Sequence, residues 1–476
     1  MSFKYKINED ETKNIENETA STENYNYRNP EFITDSNQSL STKDVLSSNE
    51  EKPNDQNNTN QIKEETPKVS KPSDPQLWRD LLAFWFLGLC NNYGYVVMLS
   101  AAHDIIGKFD DNHKQPEEKN DRDCQIMSTG AILLADIIPS LMIKLLVPFL
   151  PFWVNVRVII ANLLTAAGFL LVGYSENQWI TLIGVICTSL SSGLGEATFL
   201  GYSSRFNRNV VSTWSSGTGS AGVGGSLTYA ALRSVGVSSL VTMLILLIVP
   251  VIECIAFWII LRKPEKSLTG HNINNCNNEK DCQVEKDAQQ LNVNNPDEMP
   301  LKTLKEKLRY MFSLLKYMIP LGVVYVAEYF INQGLFELVY FKNASFDKKT
   351  QYRWLNVVYQ IGVLISRSSV NLLTIDKLWI FPILQLINVA YFLTEVILYI
   401  TPTIWIVFGI VLFEGLLGGG AYVNTFYKIS KKVPEARRQF ALSFVSISDA
   451  AGITLAGFIA IPVHNAICNI PAPNRL

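Results

Sequence analysis

Residues 189–226 read SLSSGLGEATFLGYSSRFNRNVVSTWSSGTGSAGVGGS, and the reading of this stretch decides the fold. It begins inside an apolar helix, carries one acid, Glu196, at membrane depth, turns through Arg205 and Arg208, and enters a second helix made almost wholly of Gly, Ser, Ala and Thr. At 3.6 residues per turn, Ser189, Ser192, Gly193 and Glu196 share one helical face. The acid therefore looks onto small polar neighbours. In the second helix Gly217, Gly219 and Gly222 fit GxGxxG, but a dinucleotide site needs that spacing between a strand and a helix of a soluble unit. In a membrane hairpin the same residues predict close helix packing through Ser215/Gly219, Gly217/Ala221, Ser220/Gly224 and Gly222/Ser226.

Outward from this hairpin, the apolar residues gather into blocks of about twenty separated by short polar turns, which is membrane spacing. Eleven spans follow, near 80–102, 127–150, 156–174, 179–203, 212–233, 238–261, 313–340, 354–373, 377–400, 402–427 and 439–466. The chain reads as an all-α polytopic membrane protein. Residues 1–75 are rich in Asn, Glu, Asp, Ser, Thr and Lys and bury too little apolar surface to order themselves, so they read as a disordered cytosolic tail. The tail lacks the pattern of a cleaved signal peptide, which makes the first span an uncleaved anchor. The expected organisation is a six-helix bundle over 76–262, a hydrophilic cytosolic linker over 263–310, a five-helix bundle over 311–468 and a short tail over 469–476. Net charge is −2 and no basic patch stands out, so no nucleic-acid partner is expected.

A weak internal repeat relates the two bundles. Asn92-Tyr93-Gly94 in the first span matches Asn332-Gln333-Gly334 in the seventh, and Gly193-Leu194 in the fourth matches Gly415-Leu416 in the tenth. Parallel halves of this kind are the major-facilitator plan, whose substrate site lies at midplane between them. That plan has twelve spans, one more than this chain. Orientation follows from Arg157, Arg205, Arg208, Arg262, Lys263, Lys377, Lys428, Lys431, Lys432, Arg437 and Arg438, which an alternating topology puts on the side of the N-terminus. That side is expected to be cytosolic. Asn343-Ala344-Ser345 is then a luminal glycan acceptor, and the sequons at Asn17, Asn37 and Asn57 are cytosolic and unused.

Ionisable groups inside a bilayer cost about 2.5–3.5 kcal/mol each on insertion scales and usually face an interior or a wet path. Here they are Asp136, Lys144, Glu196, Glu253, Glu328, Glu337, Arg367, Glu395, Glu414 and Asp449. Asp136, Ser140 and Lys144 recur every four residues, and a stripe that compensates itself within one helix is an even alternative to function. Glu253, Glu337 and Glu395 fit the ends of their spans. The two-half plan draws a cavity from Asn91, Asn92 and Tyr95, Glu196, Glu328, Asn332 and Gln333, and Glu414 and Asn424, with Asp449 in the last span. Lys144 and Arg367 are its deep cations and the candidates for an anionic substrate group. A wet vestibule is the expectation for these residues.

Seven cysteines give no evident framework, Cys124 and Cys468 being far apart in sequence, and no metal or cofactor is implied. No aqueous loop carries a nucleophile elbow, HExxH, P-loop or paired-carboxylate site, so an enzyme is not expected. A membrane scaffold that transports nothing is the alternative, because buried charge also holds helices together.

The strings SSGLGEATFL, WSSGTGSAG, VVYVAEYFINQGLFEL, YRWLNVVYQIGVLISRSS and FEGLLGGGAYVNTFYKI resemble the battenin family, over about Trp78 to Cys468. The resemblance implies a multispanning protein of lysosomes, late endosomes or vacuoles, distantly similar to major facilitators. It also implies links to luminal pH, vacuolar basic amino acids, autophagy and trafficking, and clearance of glycerophosphodiesters, while the non-transporting alternative would hold proton-pump or trafficking partners at the membrane. Glu196, Glu328, Arg367, Glu414 and Asp449 stand intact in the family pattern. Two features depart from animal members: Cys468 is followed by NIPAPNRL where a prenylation box would need the cysteine fourth from the end, and the central loop lacks an evident acidic dileucine signal.

Overall fold

Local signals set where each helix starts. Thr303 and Glu306 form a reciprocal capping box that opens one helix, Asn177 accepts from the Trp179 amide at the start of another, and Ser238 caps a third through the Val241 amide. The computed structural model describes residues 77–110, 129–175, 177–262, 299–344, 347–471 and 473. The N-terminal tail, most of the linker and the sequons at Asn17, Asn37 and Asn57 lie outside them.

All regular structure among the described residues is helical. In chain order the helices are α1 (Leu77–Asp110), α2 (Thr129–Leu146), α3 (Val154–Tyr174), α4 (Gln178–Ser203), α5 (Asn209–Ser234) and α6 (Ser239–Ile260), then α7 (Leu304–Leu338), α8 (Lys348–Ser368), α9 (Ile380–Leu398), α10 (Ile404–Lys432) and α11 (Glu435–Cys468). Each expected span coincides with a helix. Eight of the helices are long and apolar enough to cross a membrane by length and composition; α2, α5 and α8 are not among them. Several helices outrun their apolar core, since backbone hydrogen bonding continues where hydropathy stops. Thus α7 takes up residues 304–310, which the sequence assigned to the linker, and α10 runs on through Lys431 and Lys432.

Packing pairs α1 with α5, α3 with α4 and α2 with α4 in the first half, and α7 with α11 and α8 with α10 in the second. Across the seam, α2 meets α11 and α5 meets α8. Apart from α3–α4, these pairs map onto one another when each helix is replaced by the sixth after it, or before it, so the internal repeat is visible in the contacts. The glycines of α5 do what their spacing predicts. A methyl at Gly217 would run into the Trp85 carbonyl of α1, and one at Gly219 would come within 3.1 Å of the Leu364 Cα and 3.3 Å of the Arg367 Cδ on α8.

The outer surface is apolar and ends in tryptophans. Leu163, Phe312, Ile387 and Phe458 are more than half exposed, as lipid-facing side chains would be, and Trp78, Trp153, Trp379, Trp179 and Trp405 stand exposed near helix ends on both faces. The largest buried cluster crosses the seam, joining Phe84, Phe199 and Trp214 to Leu321, Tyr422, Phe426 and Phe444. Towards the face opposite the N-terminus the clusters separate: Val97, Phe169 and Met243 in the first half, Leu335, Phe392 and Val407 in the second. Apolar packing between the halves is thus concentrated on the N-terminal face. On that face Arg262 pairs with Asp80 at 2.6 Å, tying the end of α6 to the start of α1.

Candidate functional site

The site is built at Pro139 of α2. Pro139 breaks the backbone ladder of α2, and the Ser189 hydroxyl of α4 enters the gap, accepting from the Ser140 amide at 3.0 Å and donating to the Asp136 carbonyl. One turn further on, Lys144 leaves α2 and points at two carboxylates. Its Nζ lies 2.6 Å from Glu196 Oε2 on α4 and 3.0 Å from Asp449 Oδ1 on α11. All three residues are buried. The within-helix stripe of Asp136, Ser140 and Lys144 is therefore not how this lysine is compensated: eight residues of helix separate it from Asp136 by about 12 Å, and the acids of α4 and α11 are the ones in reach.

Glu196 continues the chain. Its Oε1 accepts the Tyr422 hydroxyl of α10 at 2.7 Å, and that hydroxyl accepts the Trp214 indole N–H of α5 at 3.2 Å. Arg367 of α8 lies over the Tyr422 ring, 4.2 Å from its centroid. It donates to Thr218 of α5 at 2.7 Å and to the Tyr325 hydroxyl of α7 at 3.0 Å, while its Nε is buried without a partner. Lys144–Asp449, Glu196–Tyr422, Trp214–Tyr422 and Arg367–Thr218 all cross from one half to the other. Lys144 thus sits between two carboxylates, and Arg367 brings a second cation to the same seam.

A second group lies within the C-terminal half. Glu328 of α7 accepts the Tyr359 hydroxyl of α8 on one oxygen, and its other oxygen is buried and unpartnered beside Gly418. Glu414 of α10 is fully buried with both oxygens unpartnered. Asn332 and Gln333 are buried in a π-helical turn at Ile331–Leu335, a distortion that recurs at functional sites. Asn91 donates to the Ser192 carbonyl at 3.2 Å and so ties α1 to α4. Asn92 is half-buried, and the Tyr95 hydroxyl is buried without a hydrogen bond of normal geometry, near Tyr329.

Some candidates are turned to other work. Asn424 accepts the Ile375 amide at 2.7 Å and holds the loop between α8 and α9. Glu395 accepts the Thr401 amide at 2.8 Å and closes the turn after α9. Asp136 and Glu253 are buried with unpartnered oxygens away from the crossing network. Asn343 is exposed, with Ser345 of its sequon outside the described residues. Cys468, without an evident pairing in the sequence, is disulfide-bonded; distance along the chain says nothing of distance in the fold. Tyr422, Trp214, Thr218, Tyr325 and Tyr359 were missed. Helical spacing carried the signal: Tyr422 lies two turns after Glu414, Tyr359 two turns before Arg367 and Tyr325 one turn before Glu328.

The expected wet vestibule is not what surrounds the central charges. Lys144, Glu196 and Asp449 are shut against one another, with side-chain exposures of 3, 8 and 9 %. The network is a set of reversible polar contacts: Lys144 holds Glu196 and Asp449, and Arg367 holds Thr218 and Tyr325.

Two bundles meeting through α2–α11 and α5–α8, with a polar network at their seam, define a multi-pass membrane protein with the major-facilitator fold. The human organic anion transporter MFSD10 (TETRAN) shares that fold, with a TM-score of 0.52 at 11 % identity over 84 % of this chain and 96 % of that one. The match to the CLN3 protein family covers residues 82–470. Battenin of Canis lupus familiaris is 40 % identical over 434 residues, 86 % of this chain and 97 % of that protein. Protein BTN1 of Saccharomyces cerevisiae is 32 % identical over 407 residues, 81 % and 94 % of the two chains. The protein belongs to the CLN3, or battenin, family.

Proposed function

We propose that this protein is a secondary transporter of an endolysosomal or vacuolar membrane, carrying a small polar metabolite out of the lumen, and that it catalyses no covalent chemistry. Glycerophosphodiesters are the substrate class that the family resemblance implies, and they match the site: a phosphodiester for Lys144 and Arg367, hydroxyls for Thr218, Tyr325 and the amides of Asn332 and Gln333. The observation that carries the reading is that the deep ion pairs and hydrogen bonds cross the seam. An interface held by exchangeable polar contacts has two arrangements, one closed on itself and one closed on a ligand, which is what alternating access requires. Glu328 and Glu414, with three unpartnered oxygens between them, are the proton-carrying candidates of this scheme.

The face of the N-terminus is cytosolic in this reading. Two features of the opposite face support it: the exposed sequon asparagine Asn343, an acceptor for luminal glycosylation, and the disulfide at Cys468, which suits an oxidising compartment. Purified protein in liposomes with an acidic interior should move labelled glycerophosphocholine faster than the Glu328→Gln, Arg367→Ala double variant. Equal flux from the two would remove the proposal.

A second reading has its own observation. Because the central charges are paired, they also suit a regulator that holds partners at the membrane, such as proton-pump or trafficking proteins, and moves no solute. It predicts that luminal pH in cells lacking the protein is restored by the Arg367→Ala variant as well as by the parent chain.

A further inference from the structure

On the N-terminal face, away from the network just described, a cavity of about 450 Å³ opens between the two halves. The turn from α4 to α5 supplies Arg205 and Arg208, the start of α5 Asn209, the end of α10 Lys431, and the start of α11 Glu435 and Arg438. Four cations thus face one carboxylate. Neighbouring groups account for only part of this charge. Arg205 spreads over the Phe152 and Tyr202 rings at 5.6 Å each and reaches Gln439 at 3.4 Å. Lys431 rests on the Tyr427 ring at 4.2 Å, and Arg438 donates to the Val433 carbonyl at 3.3 Å. Arg208 and Arg438, one from each half, lie close enough to repel. The first turn of α5 adds the positive end of a 26-residue helix.

We propose that this cavity is a binding site for a phosphorylated polar headgroup, which bridges the two halves on the N-terminal face. The guanidinium forks of Arg205, Arg208 and Arg438 suit phosphate oxygens, and Lys431 adds a point charge. The volume exceeds what a bare phosphate fills and falls in the range of organic-ligand pockets. Basic recesses between membrane helices at a leaflet surface are a recurrent place for anionic lipid headgroups. A soluble phosphate ester offers the same chemistry. Either ligand would offset the repulsion between Arg208 and Arg438 and favour the arrangement in which this face is shut.

The experiment uses the full chain in phosphatidylcholine nanodiscs and does not depend on transport. Soluble inositol trisphosphate is titrated by calorimetry, and in parallel the nanodiscs are made with and without a phosphoinositide and heat stability is compared. Each charge-assisted contact is worth roughly tenfold in affinity, so the Arg208→Gln, Lys431→Gln double should bind about a hundredfold more weakly. Lys377→Gln, Lys432→Gln, exposed residues of the same face outside the cavity lining, should bind as the parent does. Binding in both arms assigns the headgroup alone as the ligand; stabilisation only by the phosphoinositide assigns the leaflet as its source. Should the first double fail to fold, Arg208→Gln alone carries the test with a tenfold expectation. No response in either arm, or equal weakening by the Lys377, Lys432 pair, overturns the proposal.

Discussion

Replacing Lys144 by Met removes the cation between Glu196 and Asp449 and leaves two buried carboxylates with Arg367 as their balancing charge. At the 3.0 Å separation of Lys144 and Asp449, Coulomb attraction with an effective dielectric of about 20 amounts to roughly 5–6 kcal/mol. Part of that is returned because the ammonium no longer has to be desolvated, so the expected loss for Lys144→Met is about 3–5 kcal/mol. Adding Asp449→Asn removes the surplus negative charge and leaves Glu196 with Arg367. The double variant should therefore recover most of the loss and lie within about 1–2 kcal/mol of the parent, since well-packed replacements of buried ion pairs are often near neutral. Reversible unfolding in mixed micelles, followed by tryptophan fluorescence, gives the three values, and the coupling between the two sites follows from the cycle. If Lys144→Met alone costs less than about 1 kcal/mol, or the double is as unstable as the single, water rather than Lys144 compensates these carboxylates and the closed network is wrong.

Tyr422→Phe deletes the hydroxyl shared by Glu196 and Trp214 and should cost about 1–3 kcal/mol in the same unfolding assay, with a blue shift in Trp214 emission if the indole N–H loses its partner. Gly217→Ala should destabilise by about 1–3 kcal/mol because its methyl meets the Trp85 carbonyl. Gly409→Ala on α10, with nothing within 4 Å, should be neutral or stabilise by up to about 1 kcal/mol; the reverse order would refute the α1–α5 packing. At the start of α8 the Thr350 hydroxyl donates to the Asp347 carboxylate and holds it below the usual range. A depressed carboxyl contributes stability above its unfolded value and loses it as pH falls through the folded one, so amide exchange in the first turn of α8 should rise only below about pH 4. In Thr350→Ala that rise should begin at higher pH, and an unchanged profile would remove the bond from the account.

The fold was legible because hydropathy blocks and helix packing obey local rules. Gly217, Gly219 and Gly222 announced close approach through their spacing alone, and Asn92/Asn332 with Gly193/Gly415 pointed to halves that the α2–α11 and α5–α8 contacts make explicit. The site was legible only as residue types. Lys144, Glu196, Arg367 and Asp449 were identifiable by their cost in a bilayer, but which acid meets which base depends on tertiary distance, and the spacing within α2 pointed to the wrong partner, Asp136. The tyrosines were hidden for another reason. Tyr422 and Tyr325 look like ordinary apolar fillers of a membrane helix until a carboxylate or a guanidinium is placed at their hydroxyls.

The distribution of apolar packing bears on which way the seam can open. Towards the N-terminal face Phe149 of the first half meets Phe440 and Phe444 of α11 at 6.0 and 6.3 Å, and the cluster of Phe84, Phe199, Leu321 and Phe426 spans both halves. Parting the halves there would expose several large side chains, each worth about 1.5–3 kcal/mol of burial. Towards the opposite face each half keeps its own cluster, so separation there breaks mainly the small-residue contacts of α5 with α8, such as Gly222 with Gln360. Of the two openings, the one facing away from the N-terminus therefore costs less from this conformation. A cysteine placed near Gln360, which α5 meets at Gly222, should react with a polar maleimide added from that face faster than one at Ser443, whose hydroxyl donates to the Ala197 carbonyl across the shut end. Equal labelling at the two positions would mean that the apolar clusters do not set the direction of opening.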